Sequence, residues 1–526
     1  MRSVCLPHTQ LPGTSALFRD YLYHFDRVAP FYTHSPHDPE ALKAAAVAAA
    51  KIPDAHRADL VAALRRLNGD SASLAELEVP GTVAIVTGQQ VGLFSGPAYT
   101  VYKALTAAKL ARQLSESGIR AVPVFWLATE DHDFAEIDHV HIFGTDHHPL
   151  KLTANGNGSA GRPVGSIPLQ APPVEALKSA LQGFLYADEV VSAVEESYQP
   201  GRTFGEAFRL LLDRLLGGYG LVYLDPLDPG IRKLAAPFLA SVVDHAADLS
   251  NAVQRRDAEL KAAGYHSQVL FENDSSFLFL IENGKRLALR ARDGNYFQGT
   301  RRLTPEELSA QAEALSPNAL LRPVMQDYLL PTAAYVGGPA ELAYLAQSQV
   351  IYQALLGRAP VAVPRSGFTI LDERTHGLME RYSLHLPDAF HGQEVLREKI
   401  SAQLIPPSLD RSFAEAIETT ASITDRLKAE LASFDPTLGA AMAKSRAKML
   451  YQLEKNRRKA AREALRRDAQ IEAGAAHLSG LVFPERHLQE RYYSILPFLA
   501  KYGPDLVDTL YEHVHRECPD HLVLTV

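Results

Sequence analysis

The chain has very little cysteine and no long apolar run among its 526 residues. Its two cysteines, Cys5 and Cys518, stand near opposite ends, which excludes a disulfide framework and a multi-thiolate zinc or iron–sulfur site within one chain. No segment approaches the roughly eighteen consecutive apolar residues of a membrane span. The first residues also lack the pattern of a secretory signal. The sequence therefore predicts a soluble, cytoplasmic protein with no membrane partner.

An overall excess of basic charge is also missing. The chain has 53 Lys and Arg against 61 Asp and Glu, a net charge of −8, so nucleic-acid binding is not expected. Residues 444–468 are the local exception, with ten basic and three acidic side chains. A basic helix of this kind can bind nucleic acid, a nucleotide phosphate or an acidic partner subunit, or it can be a solvated face.

Neither standard nucleotide fingerprint, GxGxxG or GxxxxGK[ST], is present, but strands and helices alternate in a clear order. The segments TVAIVTG (82–88) and IRAVPVFWLA (119–128) predict buried strands, and AYTVYKALTAAKLARQLSES (98–117) predicts the helix between them. Further strands are predicted at 219–226, 333–338 and 359–365. This order predicts an α/β protein with a Rossmann-like parallel-sheet core, in which ligands bind at the carboxyl ends of the strands.

We predict three regions. Residues 1–388 form the Rossmann-like core, with small inserted β/α elements near 150–170 and 265–300. The first insertion contains the flexible loop ANGNGSAGRPVG, and the second, with SQVLFE, SFLFLIENGKRLALRA and YFQG, predicts an antiparallel meander. Residues 389–480 predict a long α-helical hairpin or coiled coil turned at Asp435-Pro436. Residues 481–526 are expected to pack back on the core.

The first candidate binding block is TGQQVGLFSGP with the helix that follows it. Gln89 and Gln90 expose side-chain amides after the strand, and Gly96-Pro97 is predicted to open the helix with free N–H groups that suit a carboxylate or phosphate. Ordinary helix capping by a polar loop is the alternative. The substrate-binding candidates here are Thr87, Gln89, Gln90, Gly96, Pro97, Tyr99 and Lys103.

The second block is FWLATEDHDFAEIDHVH, residues 125–141, directly after the second strand. Trp126 is a substrate-binding candidate, and the catalytic candidates are Glu130, Asp131, His132 and Asp133. Carboxylates and imidazoles together could ligate a metal, clamp a polar substrate, transfer protons, or simply cap a helix. The HExxH spacing is absent, so no metal is predicted, and a substrate clamp or acid–base role is favoured.

The third block is LRPVMQDYLLPTAAYVGGPAELAYLAQ, residues 321–347, which repeats the order strand, glycine, proline, helix. It predicts a second helix N-terminus facing the same crevice, again suited to an anion. The substrate-binding candidates here are Gln326, Tyr335, Gly337, Gly338, Pro339, Glu341 and Tyr344, with Arg365 on the same rim.

These three blocks, in this order and spacing, closely resemble the BshC family, the cysteine ligases of bacillithiol biosynthesis, over essentially the whole chain. The resemblance implies a core related in fold to nucleotidylyltransferases and class I aminoacyl-tRNA synthetases, and a coiled coil that pairs two subunits into a homodimer. It also implies a reaction in which cysteine is added to the amine of glucosaminyl-malate, forming an amide.

The cofactor is not fixed by the resemblance. The first helix start reads SGPA and KMLYQLEK is no KMSKS motif, so the two ATP motifs of class I synthetases have no counterpart. A nucleotide such as ATP or ADP stays compatible with the fold. Two other functions stay open: a nucleotide- or sugar-binding module that recruits partners through its basic coiled coil, and a metal-dependent hydrolase built on residues 130–133.

Overall fold

The computed structural model describes residues 2–156, 159–272, 274–467, 469–515 and 518–526, with the backbone alone over 469–472. Asn157 and Gly158 of the predicted flexible loop, and Asp468 of the basic segment, lie outside the described residues. None of the described helices is both long and apolar enough to cross a membrane.

Fifteen strands occur in the described residues and form four sheets. In chain order they are β1 (Arg2–Leu6), β2 (Val83–Gln89), β3 (Ala121–Leu127), β4 (His139–Phe143), β5 (Pro149–Thr153), β6 (Val222–Leu224), β7 (Ser275–Glu282), β8 (Lys285–Arg292), β9 (Asn295–Gln298), β10 (Arg301–Leu303), β11 (Leu315–Pro317), β12 (Thr332–Gly337), β13 (Val361–Pro364), β14 (Phe368–Leu371) and β15 (His521–Thr525).

The helices of the described residues cover the central sheet and build the C-terminal region. In chain order they are α1 (Ala16–Tyr23), α2 (Phe25–Val28), α3 (Pro39–Ala49), α4 (Asp54–Asn68), α5 (Ala72–Glu78), α6 (Tyr99–Glu116), α7 (Val174–Leu181), α8 (Ala187–Ser197), α9 (Phe204–Leu216), α10 (Pro229–Ala262), α11 (Pro305–Ser309), α12 (Arg322–Leu329), α13 (Pro339–Leu355), α14 (Glu373–Arg381), α15 (Leu386–Ala389), α16 (Gln393–Ala402), α17 (Pro407–Phe434), α18 (Pro436–Arg466), α19 (Ala469–Val482), α20 (Gln489–Tyr492), α21 (Leu496–Tyr502) and α22 (Leu506–Glu512).

The central sheet is parallel, with the strand order β13-β12-β2-β3-β6. Strands β2 and β3 pair from Val83 opposite Ala121 to Gln89 opposite Leu127. They are buried along almost their whole length, because helices cover both faces of the sheet. The chain runs from β2 to β3 and β6 on one side, and later adds β12 and β13 on the other. This arrangement confirms the predicted α/β class and the Rossmann-like core.

The second insertion is a five-stranded antiparallel sheet with the order β10-β9-β8-β7-β11. The predicted strands SFLFLIENGKRLALRA and YFQG are confirmed as β7, β8 and β9. The strand predicted for SQVLFE is wrong, since residues 267–272 form no strand. The side-chain amide of Gln347 accepts the N–H of Val269 at 2.9 Å and donates to its carbonyl at 2.8 Å. A side chain thus occupies both groups that a neighbouring strand would use.

The C-terminal region contains the predicted helical hairpin. Helices α17 and α18 run antiparallel and turn at Asp435-Pro436, where the Asp435 carboxylate accepts the N–H of Thr437 at 2.6 Å. The last strand, β15, lies between β1 and β14. The chain's two ends therefore meet in one small sheet, while the predicted region boundaries at 388 and 480 stay predictions.

Candidate functional site

A cleft of about 900 Å³ lies at the carboxyl ends of β2, β3 and β12. Gly88 at the end of β2, Trp126 on β3 and Tyr335 on β12 contribute to its floor. Residues 268–272 and the antiparallel sheet supply another wall. The strand order reverses between β2 and β12, and open parallel sheets bind ligands at such a switch point. We therefore take this cleft as the candidate site.

Most of the predicted site residues meet in this cleft although they come from three separate blocks. Those that line it are Gln89, Gln90, Tyr99, Lys103, Trp126, Glu130, Asp131, Tyr335, Gly338, Pro339, Glu341, Tyr344 and Arg365. Those that the structure places elsewhere are Thr87, Gly96, Pro97, His132, Asp133, Gln326 and Gly337.

The helix start at Gly96-Pro97 does not face the cleft, which corrects the expectation for the first block. Helix α6 begins at Tyr99, two residues after Pro97, and the N–H of Ala98 donates to the carbonyl of Tyr493 at 2.7 Å. This helix start is thus used to hold the C-terminal segment. Thr87 also has a structural partner, because its hydroxyl donates to the carbonyl of Val336 at 2.8 Å.

Two residues of the third block are packed behind the cleft. The side chain of Gln326 is fully buried, and its amide donates to Asp327 at 3.0 Å while it accepts from Arg322 at 3.2 Å. Gly337 lies against Leu342, and a Cβ at this position would come within 2.9 Å of that side chain. Both positions support the cleft wall and do not form its surface.

The four acidic and imidazole candidates at 130–133 separate into two pairs. Glu130 and Asp131 line the cleft. Asp133 is exposed and accepts the N–H of Ala135 at 3.1 Å, so it caps the short 3-10 turn that follows. The Nδ1 atom of His132 lies 3.0 Å from Nη1 of Arg286. Asp131 and His132 contact each other and share Arg286, whereas Glu130 and Asp133 have separate partners, so the four do not form a common set of metal ligands.

Glu130 is the buried carboxyl group of this wall, paired with Arg232 at 3.1 Å. Burial raises the pKa of Glu130 to about 7, although Arg232 and Arg286 favour its ionised form. A carboxyl with a pKa near neutrality can accept a proton and release it again at physiological pH.

Asp131 differs from its neighbour because both oxygens of its carboxylate accept a hydrogen bond. Burial opposes its ionisation, but hydrogen bonds from His132 and Gln90 outweigh burial and hold the pKa of Asp131 well below its usual range. The Gln90 amide donates to Asp131 at 2.5 Å and to Glu136 at 2.7 Å. Asp131 is therefore a permanent anion, suited to binding hydroxyl or ammonium groups.

Lys103 is predicted as a ligand for a substrate anion, but the structure pairs it with Glu341 at 2.5 Å. Its ammonium group also donates to the carbonyl of Gly88 at 3.0 Å. Burial opposes ionisation of Glu341, and Lys103 outweighs this effect and lowers the pKa of that carboxyl. Glu341 also accepts the N–H of Gly338 at 2.8 Å. The helix start at Gly338 thus already holds a carboxylate of the chain itself.

Arg365 likewise has a partner that the sequence did not reveal. Its guanidinium binds the carboxylate of Glu490 through two hydrogen bonds of 2.8 and 2.5 Å. Both side chains are 5% exposed. Burial opposes ionisation of Glu490, but Arg365 lowers its pKa to about 2. No local signal marks this pair, because its members lie 125 residues apart.

Four further arginines that sequence reasoning missed line the cleft: Arg286, Arg290, Arg322 and Arg491. Arg322 donates to the hydroxyl of Tyr344 at 2.8 Å and to that of Tyr335 at 3.4 Å. In the described part of the chain neither Arg322 nor Arg491 forms an ion pair with a carboxylate. Arg322 lies in the third block, directly before a proline at the start of α12. Its position in the sequence could therefore have identified it as a candidate binding residue.

Two family models and several known proteins match this chain along its length. The family model described as "Bacillithiol biosynthesis BshC, N-terminal Rossmann-like domain" matches residues 1–366. That described as "Bacillithiol biosynthesis BshC, C-terminal coiled-coil domain" matches residues 368–526. A protein of Solibacter usitatus is 52% identical over 526 residues, covering 100% of both chains. One from Koribacter versatilis is 40% identical over 532 residues, covering 99% of both. Both relatives bear the name "Putative cysteine ligase BshC".

Proposed function

Because the chain belongs to the bacillithiol biosynthesis BshC family, we propose that it is a ligase that joins cysteine to the amine of glucosaminyl-malate. The bond formed is an amide between the carboxyl carbon of cysteine and the sugar amine, a C–O bond of that carboxyl breaks, and the oxygen leaves with two protons, overall as one water. The amine must lose a proton before it attacks the carboxyl carbon, and cationic side chains must hold the malyl group of glucosaminyl-malate in place. The cleft offers both kinds of group.

The observation that carries the proposal is a pair of arginines in the cleft, Arg322 and Arg491, that have no carboxylate partner among the described residues. Two carboxylates, Glu341 and Glu490, are each neutralised by one cation, Lys103 and Arg365 respectively. Arg322, which is half-buried, and the exposed Arg491 have no such partner among the described residues. A guanidinium without a carboxylate partner favours a ligand that brings its own negative charge. The malyl group of the proposed substrate carries two carboxylates, one for each of these two guanidinium groups.

Glu130 and Asp131 supply the remaining chemistry. Asp131, with the amides of Gln89 and Gln90, is suited to the hydroxyl groups of the sugar. Glu130, with its pKa raised to about 7 by burial, is suited to take the proton of the amine. The catalytic set predicted from sequence is thereby narrowed to the two members that line the cleft. His132 and Asp133 support this wall through Arg286 and the turn at Phe134.

The direct test is to incubate the purified protein with cysteine and glucosaminyl-malate, with and without ATP, and to follow the amide by mass spectrometry. Arg322→Gln should weaken binding of glucosaminyl-malate by about 10- to 100-fold, since hydrogen bonds between charged groups contribute about 1.5–3 kcal/mol. The exposed Arg214 serves as the matched control, because its ion pair with Glu196 lies outside the cleft. Equal binding by Arg322→Gln and Arg214→Gln would contradict the assignment.

The two alternative functions lose support from the same geometry. A metal-dependent hydrolase at 130–133 is disfavoured because these four side chains do not converge. Recruitment of a partner through the basic helix has less support, because two of its arginines already have partners within the chain. Arg446 pairs with Asp425 of α17, and Arg457 pairs with Asp410 of the same helix. We place the proposed reaction in the cytoplasm, where the free thiols of Cys5 and Cys518 would stay reduced.

We further propose that the chain forms a homodimer through the hairpin of α17 and α18. Apolar side chains remain exposed along this hairpin, including Ile423 at 50%, Leu427 at 42% and Met449 at 44%. A second hairpin would cover them, as in other coiled coils. Light scattering should give about twice the chain mass of 57.6 kDa. Ile423→Asp with Leu427→Asp should shift this mass to that of one chain, and an unchanged mass would exclude this face.

A further inference from the structure

Away from the cleft, two histidines and one aspartate meet at the junction of three segments. His147 lies in the turn between β4 and β5, Asp372 precedes α14, and His477 lies on α19. All three are buried, with 7 to 9% of their surface exposed. One potential ligand atom from each lies within 4.8 Å of the other two. Of the described residues, this is the group whose geometry fits a metal ion, and none of the three lines the cleft.

The distances between the ligand atoms are close to those of a metal site. Oδ2 of Asp372 lies 3.6 Å from Nε2 of His477 and 3.9 Å from Nε2 of His147. In a tetrahedral zinc site with bonds of about 2.0–2.1 Å, neighbouring ligand atoms are about 3.3 Å apart. The two pairs that involve Asp372 are therefore within a few tenths of an ångström of this spacing, and the ligand atoms of the two imidazoles lie within 4.8 Å of each other.

The surrounding hydrogen bonds already aim the ligand atoms of His147 and Asp372 inward. The Nδ1 atom of His147 lies 3.2 Å from the carbonyl of Thr145, which fixes this nitrogen as the donor and leaves Nε2 as the acceptor. Oδ1 of Asp372 accepts the N–H of Thr375 at 2.7 Å and caps α14, which leaves Oδ2 free to face the two imidazoles. Such outer contacts are what orient histidine and carboxylate ligands in metal sites.

The cluster also already attracts a cation, the ammonium group of Lys501. Its Nζ lies 2.6 Å from Oδ2 of Asp372 and 3.0 Å from Nε2 of His147. The Lys501 side chain is 21% exposed, so it has a route to solvent. A divalent ion would meet the same acceptors and gain the third, Nε2 of His477, as a ligand in place of the hydroxyl of Thr375, which now lies 2.9 Å from that nitrogen.

We propose that His147, Asp372 and His477 form a structural site for a divalent transition-metal ion of the zinc class, which displaces the ammonium group of Lys501. Two imidazoles and one carboxylate suit such an ion, and the fourth position is left for water. The ion would join a turn of the N-terminal domain, through His147, to two segments of the C-terminal domain. Its role is to fix the two domains against each other, and no step of the proposed ligation passes through it.

The test uses Zn²⁺ titration of the tag-free full chain by calorimetry, with Co²⁺ absorption as a probe of tetrahedral coordination. The chain should bind about one ion, and His147→Gln and His477→Gln should each lose that binding. Lys501→Met should bind more tightly, because its competing ammonium group is gone. A purely structural hydrogen-bond network predicts no such gain. The thermal unfolding temperature should rise with Zn²⁺ in the unmodified chain and in Lys501→Met.

A matched control addresses the other place where Zn²⁺ could bind. The fold brings the Sγ atoms of Cys5 and Cys518 to 3.4 Å from each other, so their separation in sequence does not exclude a two-thiolate zinc site, contrary to our expectation. Cys5→Ser with Cys518→Ser should retain the binding and the Co²⁺ spectrum. Loss of binding in this double variant would assign the ion to the thiols and overturn the proposal. Absence of binding in the unmodified chain would also overturn it, even if Lys501→Met bound the ion, because Lys501 would then exclude the metal.

Discussion

Glu130→Gln is expected to lower the rate of amide formation by about 10²- to 10⁴-fold, the range that a positioned general base contributes. Glutamine keeps the shape of the side chain and a hydrogen-bond acceptor for Arg232, but it cannot take the proton of the amine. In the unmodified chain kcat/KM should rise with pH through about 7, as Glu130 loses its proton. In Glu130→Gln this dependence should disappear.

The control for this variant is Glu282→Gln, a carboxylate of β7 that pairs with Arg301 and does not line the cleft. Its rate and pH profile should match those of the unmodified chain. Circular dichroism would show that Glu130→Gln is folded. If Glu130→Gln kept the rise in kcat/KM through pH 7, the titrating group would be the amine of the substrate, and Glu130 would not be the base.

The same raised pKa predicts the direction of a stability effect. Burial favours the neutral form of Glu130, so its contribution to folding is present at low pH and is lost as the pH rises through about 7. Asp131 has the opposite sign, because its hydrogen bonds favour the ionised form. Two adjacent carboxyl groups of one loop thus differ in charge state near neutrality, which is how a site obtains a proton acceptor beside a permanent anion.

The fold was predictable because the central strands carry near-continuous apolar runs. TVAIVTG and IRAVPVFWLA are buried on both faces, and such runs are typical of parallel strands covered by helices. The position of the cleft followed from the same pattern, since the polar residues directly after these strands must lie at one edge of the sheet. Gln89, Gln90, Glu130 and Asp131 lie in the cleft for this reason.

The partners of the cleft residues were not predictable, because they come from distant parts of the chain. Lys103 and Glu341 both follow a strand of the sheet, yet nothing in either block shows that they bind each other. The segment SQVLFE has the composition of a strand, but Gln347 on α13 occupies its backbone groups. Local patterns predict which segments are buried, whereas the pairing of single polar groups depends on tertiary packing.

Arg365→Met is expected to lower the free energy of unfolding by about 3–5 kcal/mol, the cost of leaving one member of a buried ion pair without its partner. Glu490 would keep a buried negative charge. Of the hydrogen-bond donors that its carboxylate has among the described residues, the N–H of Phe368 at 3.1 Å would remain. Urea unfolding at pH 7 measures the difference. The exposed pair of Arg301 and Glu282 is the control, since Arg301→Met should cost less than about 1 kcal/mol.

The pH dependence of this pair has a definite sign. Arg365 lowers the pKa of Glu490 to about 2, so the pair stabilises the fold above the ordinary pKa of a glutamate and this contribution is lost as the pH falls toward 2. In Arg365→Met with Glu490→Leu no charge is left unpaired, and most of the lost stability should return because a well-packed apolar pair can replace a buried ion pair. If the double variant is no more stable than Arg365→Met, the loss comes from packing and not from an unpaired charge.

Arg365 lines the cleft, with its guanidinium 5.3 Å from the ring centre of Tyr99. The double variant also shows whether Arg365 only supports the fold or contacts the substrate as well. Regained stability together with regained ligase activity would make the pair a support that holds the C-terminal segment against the sheet. Regained stability without activity would show that Arg365 also contacts the substrate. We expect the first result, because Glu490 already satisfies the charge of Arg365, whereas Arg322 and Arg491 keep theirs for the ligand.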